Sequence, residues 1–152
     1  MALDKHRTLE LARELDIPTP GSWLISNQED LSLIPAEVTF PLVVKPARSI
    51  GANGSQRHHL SVVYAQSAED LTAKVRHFLL FGDVLVQEYV RGDGVGIELI
   101  ADHGEIVLPF QHKRLHEVPL SGGGSSLRES VEPDPALLDA ARRLIRAMDW
   151  HG

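Results

Sequence analysis

Residues Phe40–Gly54 read FPLVVKPARSIGANG. Leu42, Val43 and Val44 form an apolar, β-rich run that ends on Lys45, and Pro46 follows at once. The run predicts a buried strand that carries an ammonium out to the rim of a sheet. The next segment, SIGANG, holds Ser49, Gly51 and Gly54 and predicts a loop. Glycine lacks a Cβ, so backbone N–H groups there can approach an anion. A lysine is a compact point charge suited to phosphate oxygens. Strand-ending lysines before glycine turns are also common without any ligand, and neither G-x-x-x-x-G-K-[ST] nor G-x-G-x-x-G occurs in this stretch. The surrounding chain therefore has to decide what the loop is for.

Working outward, Asp4 predicts a helix cap for a helix running to about Leu15, which Pro18 and Pro20 end. GSWLIS predicts a short strand, Asn27 a cap for a brief helix over QEDLSLI, and LSVVYAQ another strand. Ser67 with Asp70 predicts a capped helix to about Leu80 with Leu71, Val75, Phe78 and Leu79 on its apolar face. VLVQEYV, VGIELIA and EIVLPFQHK predict consecutive strands joined by the turns RGDG and DHG. PLSGGGSSLRES predicts a flexible loop, and Asp134-Pro135 opens a last amphipathic helix. The fold class is α+β, with a first lobe over residues 1–86 and a meander-based second lobe over 87–152. The junction near Gln87–Gly92 is a usual kind of place for a ligand.

Composition narrows the classes. The 152 residues are 43% hydrophobic and 24% charged, with 15 basic against 21 acidic side chains for a net charge of −6. That balance argues against nucleic acid and anionic lipid as partners. There is no cysteine, which removes disulfides, thiolate metal sites and cysteine nucleophiles. The early charges in MALDKHRTLELA do not suit a signal peptide, and no segment approaches the roughly 20 apolar residues of a membrane span. A cytoplasmic protein is the expectation. MDWHG after the last helix reads as the start of a further turn, so a longer chain is expected.

Two further stretches carry polar groups suited to binding. In VLVQEYVRGDG, the residues Gln87, Glu88, Tyr89 and Val90 precede a glycine turn with Asp93. Backbone groups at such an edge can read an adenine, although RGDG is also ordinary hairpin chemistry. In KRLHEVPLSGGGSS, Lys113 and Arg114 end a strand before a glycine loop, where they can hold a substrate anion or simply blunt an exposed edge. His58, His59, His112 and His116 lack recognised metal spacing, and neither a Ser-His-Asp order nor a G-x-S-x-G elbow occurs.

Taken in order, LDKHRTLELARELDIPTPGSW, FPLVVKPARSIGANG, VLVQEYVRGDGVGIELIADHGEIV and KRLHEVPLSGGGSS resemble the ATP-grasp superfamily, in particular carbamoyl-phosphate-synthetase-like and carboxylate–amine ligases. The resemblance runs from Leu3 to the end. It implies two α+β lobes flanking a nucleotide cleft, with ATP and Mg2+ as cofactors. Lys5 and Lys45 would contact the phosphates, with Ser49, Gly51 and Gly54 on a flap over them. Gln87, Glu88, Tyr89 and Val90 would face the adenine, Asp93 would stand nearest the ribose, and Lys113 and Arg114 would lie by the acyl-phosphate. The implied reaction activates a small-molecule carboxylate as an acyl-phosphate for capture by an amine-type nucleophile. The Mg2+ ligands of such enzymes would fall beyond Gly152, so the chain reads as a central fragment, inactive alone, whose partners are the remaining lobes. A non-catalytic nucleotide-binding regulatory module, or a structural domain with no nucleotide role, are the alternatives.

Overall fold

The computed structural model describes residues 4–47, 51–53, 56–58, 61–118 and 124–152, with backbone alone for 51–53, 56–58, 118 and 124. It divides into two compact units, one comprising Met1–Glu14 and Pro18–Val90, the other Leu15–Ile17 and Arg91–Gly152.

The first unit is built on a four-stranded antiparallel sheet. Its strands are β1 (Ser22–Ile25), β2 (Leu42–Pro46), β5 (Val63–Ala65) and β6 (Val84–Glu88), in the order β1-β6-β2-β5. The apolar run quoted above is β2, and it pairs with β6 in the register Leu42↔Glu88 through Pro46↔Val84. Alternation along β2 sends Leu42, Val44 and Pro46 to a buried face, leaving Val43 and Lys45 partly exposed on the other. Against the buried face lies α2 (Ala68–Leu79), and Leu71, Val75 and Phe78 join Leu42, Val44 and Val86 in the core. Ser67 caps α2 by accepting the Asp70 N–H at 3.2 Å, and Glu69 and Asp70 in the first turn favour its positive end. Asn27 caps a 3₁₀ turn over Gln28–Leu33 with a full capping box.

The first helix, α1 (Lys5–Glu14), starts where Asp4 accepts from the Arg7 N–H at 3.2 Å. At its far end Arg13 donates to the Ser22 hydroxyl of β1. Gly51–Asn53 (β3) and Gln56–His58 (β4) pair as a two-stranded antiparallel ladder. The sequence predicts a loop here. QRH carries no strand pattern of its own in the sequence. Ser49 and Gly54 lie outside the described residues.

The second unit is a three-stranded antiparallel sheet of β7 (Val95–Asp102), β8 (Glu105–Val118) and β9 (Gly124–Val131), with α3 (Pro135–Ala147). Asp134 caps α3, accepting from Ala136 and Leu137 N–H groups at 2.8 and 3.2 Å, with Pro135 in the first turn. The sequence reading of PLSGGGSSLRES as loop fails from Gly124 onward, where the chain forms β9. Ser125, Ser126, Arg128, Glu129 and Ser130 are all solvated or half-buried on an edge strand. Periodicity of apolar residues, the usual strand signal, is therefore missing there.

Leu42 is fully buried at the centre of the first unit, so Leu42→Ala is expected to cost about 2–5 kcal/mol in urea unfolding. Leu80→Ala, at a residue 65% exposed, is expected to change the midpoint little.

Candidate functional site

In the first unit the sequence-predicted residues divide between the two ends of the β2–β6 pair, Lys5 and Lys45 at the Pro46–Val84 end and Glu88 to Val90 at the Leu42–Glu88 end, with Gln87 reaching Lys45 between them. Lys45 projects from the face of β2 opposite the core, and its Nζ donates to Gln87 Oε1 at 2.7 Å. The register explains this meeting, since Val43 stands opposite Gln87 and Lys45 opposite Leu85. Gln87 is 9% exposed and thereby held in place. Lys5 reaches the same corner from the start of α1, where its N–H donates to Ala47 O at 3.4 Å and its Nζ to Pro46 O at 3.4 Å.

Two ammonium groups thus share a partly dehydrated corner. Burial pushes the Lys45 pKa below its ordinary value, and the charge of Lys5 pushes it the same way. Burial also lowers the Lys5 pKa, against the opposing pull of Asp4. Such an arrangement stores unfavourable desolvation and repulsion that a bound polyanion would relieve.

Glu88 and Gly21 form a clamp that the sequence did not disclose. Gly21 N–H donates to Glu88 Oε2 at 2.8 Å, and Glu88 N–H donates to Gly21 O at 2.9 Å. A Cβ at Gly21 would stand 2.8 Å from the Glu88 carboxyl carbon, so only glycine allows this approach. The carboxylate of Glu88 and its backbone N–H are therefore engaged within the fold. Tyr89 and Val90 are exposed, and Tyr89 makes an edge contact with Tyr64 at a centroid distance of 5.7 Å.

In the second unit, Asp93 and Lys113 form an ion pair at 2.7 Å, and each shifts the other: the Asp93 pKa down, the Lys113 pKa up. Arg114 has Nη1 3.3 Å from Glu117 Oε1, and its backbone N–H donates to Gly94 O at 2.7 Å. Lys113 and Arg114 are consecutive in β8, so strand alternation directs them to opposite faces.

The Arg114 face also carries His112, a residue 4% exposed that sequence spacing dismissed. A Cβ on Gly94 would meet Arg114 Cδ at 2.8 Å, and one on Gly96 would meet His112 Cε1 at 2.6 Å. Arg114 and His112 thus fold across the backbone at the start of β7. His112 Nδ1 stands 3.4 Å from Glu98 Oε1, which also takes Arg128 Nη1 at 3.0 Å.

No family model matches the chain. It is 24% identical to the carbamoyl phosphate synthase arginine-specific large chain of Geobacillus stearothermophilus over 98% of this chain and 14% of that protein. It is 29% identical to the D-alanine–D-alanine ligase of Ectopseudomonas mendocina over 72% of this chain and 33% of that protein. Among solved structures it resembles the D-alanine–D-alanine ligase of Bacillus anthracis complexed with ATP. The TM-score is 0.63 at 18% identity, covering 97% of this chain and 45% of that one. The chain spans less than half the length of each of these proteins.

Gln87 is the acceptor that favours the charged form of Lys45. Gln87→Ala is expected to lower the Lys45 pKa further, as followed by side-chain NMR titration of the lysine; an unchanged titration would refute this role. The chain shares the α+β fold of solved ATP-grasp ligases, among them PsnB at a TM-score of 0.57 over 93% of this chain, and its sequence likenesses are to a carbamoyl phosphate synthase large chain and a D-alanine–D-alanine ligase.

Proposed function

We propose that this chain is the nucleotide-binding part of an ATP-dependent ligase, with Lys45 and Lys5 as the phosphate-contacting groups. The observation that carries the reading is the pair of desolvated ammoniums at one corner of the first unit. A polyanion there would replace the hydration that burial has removed, and Gln87 keeps Lys45 aimed while it does so. The ladder containing Gly51 is the segment proposed to cover the phosphates. The Gln87–Val90 stretch is proposed to meet the base, with the Gly21 clamp on Glu88 fixing the course of its backbone.

In the reaction proposed for the whole enzyme, a substrate carboxylate oxygen attacks the γ-phosphorus of ATP and ADP leaves with the bridging oxygen's electron pair. The resulting acyl-phosphate is then attacked at its carbonyl carbon by an amine, which expels inorganic phosphate and loses a proton. Lys113 and Arg114 are proposed near the acyl-phosphate; their placement on opposite faces of β8 favours Arg114 and Lys113 acting separately rather than as one clamp. Asp93 is proposed by the ribose, a role that would require it to exchange its partner Lys113 for a sugar hydroxyl. Mg2+ would supply neutralisation of the phosphate charge. No residue of this chain is assigned to the metal.

The reading is tested by calorimetric titration of the chain with ATP, with and without Mg2+, on the native sequence and on Lys45→Ala. The variant is expected to bind more weakly by about 1.5–3 kcal/mol, the range for a charge-assisted contact. Unchanged affinity would remove Lys45 from the site, and a native chain that binds no ATP would refute the reading for this chain.

A pH dependence follows from the lowered lysine pKa values. The neutral amine gives up its attraction for phosphate, so affinity is expected to fall as pH rises through a range below the ordinary lysine value of 10.5. Since bound phosphate favours the ammonium, binding in that range is expected to take up protons. Titrations in buffers of different ionisation enthalpy measure the uptake, and none at any alkaline pH would contradict the assignment.

A further inference from the structure

We propose that Asp102, His103 and His151 form a binding site for a zinc-type divalent cation at the end of the second unit, independent of the nucleotide reading. One ligand atom from each of the three lies within 4.8 Å of the others. His151 Nδ1 is 2.9 Å from Asp102 Oδ1, and His103 Nε2 is 3.9 Å from the same oxygen. The two imidazole rings lie 5.2 Å apart between centroids at an interplanar angle of 33°. Two imidazoles and a carboxylate are a donor set that suits Zn2+ and its first-row neighbours, whereas Mg2+ and Ca2+ prefer oxygen alone. All three side chains are well exposed, so modest rotations bring the donors to the roughly 2.0–2.2 Å that Zn2+ requires. Solvent retains access to a fourth position.

Two features separate this group from a chance meeting of surface side chains. The first is that both backbone segments bearing it are fixed. His103 and Gly104, at φ 44° and 77°, are the two central residues of the tight turn between β7 and β8. Asp149, at φ 45°, follows the end of α3, where its N–H donates to Arg146 O and the Trp150 N–H donates to Ile145 O, both at 3.1 Å. This is a Schellman closure with an aspartate where glycine is usual.

The two turns are joined by backbone. Ala101 and Gly152 exchange both N–H···O bonds at 2.9 Å, and Gly104 N–H donates to Trp150 O at 2.9 Å. Glu105 and Arg146 add a two-point ion pair at 3.0 and 3.1 Å. A Cβ on Gly104 would stand 3.1 Å from Arg146 Cα, so the turn rests against the helix end. His151 is thus held beside Asp102 by the pairing of its neighbours, and little ordering remains for a cation to impose.

The second feature is Asp149, whose Oδ1 stands 3.9 Å from His103 Nδ1, the ring nitrogen that does not face Asp102. That separation is ion-pair range rather than a hydrogen bond, and a small rotation of either exposed side chain closes it to the carboxylate–histidine contact that fixes the tautomer and raises the basicity of a ligating histidine. An ordinary surface ion pair has no need of this second carboxylate.

The experiment uses the full chain, with ZnCl2 followed by calorimetry and CoCl2 followed by visible absorption. The native chain is expected to bind one zinc ion tightly enough to raise its melting temperature. His103→Ala and His151→Ala are each expected to weaken binding at least about tenfold, and Asp149→Asn to weaken it less while leaving the stoichiometry at one. The three side chains are exposed, so these variants are expected to keep the native circular dichroism. Equal zinc affinity in the native chain and in a His103→Ala/His151→Ala double variant would overturn the proposal, because the remaining six of the eight histidines would then account for binding. Absence of measurable binding by the native chain would overturn it as well.

Discussion

The pairing of Leu42–Pro46 with Val84–Glu88 is the constraint on which the first unit depends. Five consecutive residues of each strand are matched, and each strand lies in the middle of the four-stranded order. The side-chain period of a strand is two, so a slip of one residue would turn Val44 and Leu42 outward and Lys45 into the core. Burying an unpaired ammonium is far costlier than burying a valine, so the wrong register is strongly excluded. The same register delivers Lys45 to Gln87. Core packing and the position of the candidate phosphate contact are therefore two results of one pairing, and neither can be altered alone.

In the second unit the comparable constraint is close approach of side chains to backbone. Gly94, just before β7, and Gly96 within it leave the backbone bare where Arg114 and His112 cross it, and Gly104 leaves the hairpin turn free to rest against the end of α3. Gly104 also serves the left-handed turn at φ 77°, but neither Gly94 nor Gly96 is needed for sheet formation, since glycine in a strand interior weakens it. Their use here follows from what lies over them. A buried imidazole above Gly96 and an arginine above Gly94 make one end of this face polar, while further along the same two strands Ile100, Leu108 and Phe110 stand on it, all more than 40% exposed.

What could be read from the sequence is what local physics determines. Helix caps at Asp4, Ser67 and Asp134, and the buried strands at Leu42 and Val84, depend on neighbours within four or five residues. Edge structure was not legible. The strand Gly124–Val131 is polar on both faces and gains its order from hydrogen bonds to β8, while Gly51–Asn53 pairs with a segment lacking apolar alternation. Among candidate site residues, Lys45 and Gln87 were separately visible but their contact was not, because it needs the strand register. Lys113 and Arg114 looked like one anion site from their adjacency, yet adjacency within a strand separates side chains. The clamp between Gly21 and Glu88, and the group of Asp102, His103 and His151, join residues distant in sequence and carry no motif.

The corner at Lys45 also bears on whether the fold is merely structural. A domain selected only for stability gains nothing from two ammoniums brought together with their hydration partly removed, since burial lowers the protonation of both and the charge of Lys5 lowers that of Lys45 further. An apolar residue at position 45 would pack against Leu85 without that cost. Gln87 offsets part of it, but a neutral amide supplies a dipole where a full negative charge would be needed. Stability alone therefore predicts replacement of these lysines, whereas binding of a polyanion predicts their retention as charged groups held at the end of β2. The structural cost and the proposed ligand are of opposite sign and the same kind, and this makes the binding interpretation the stronger of the two on physical grounds.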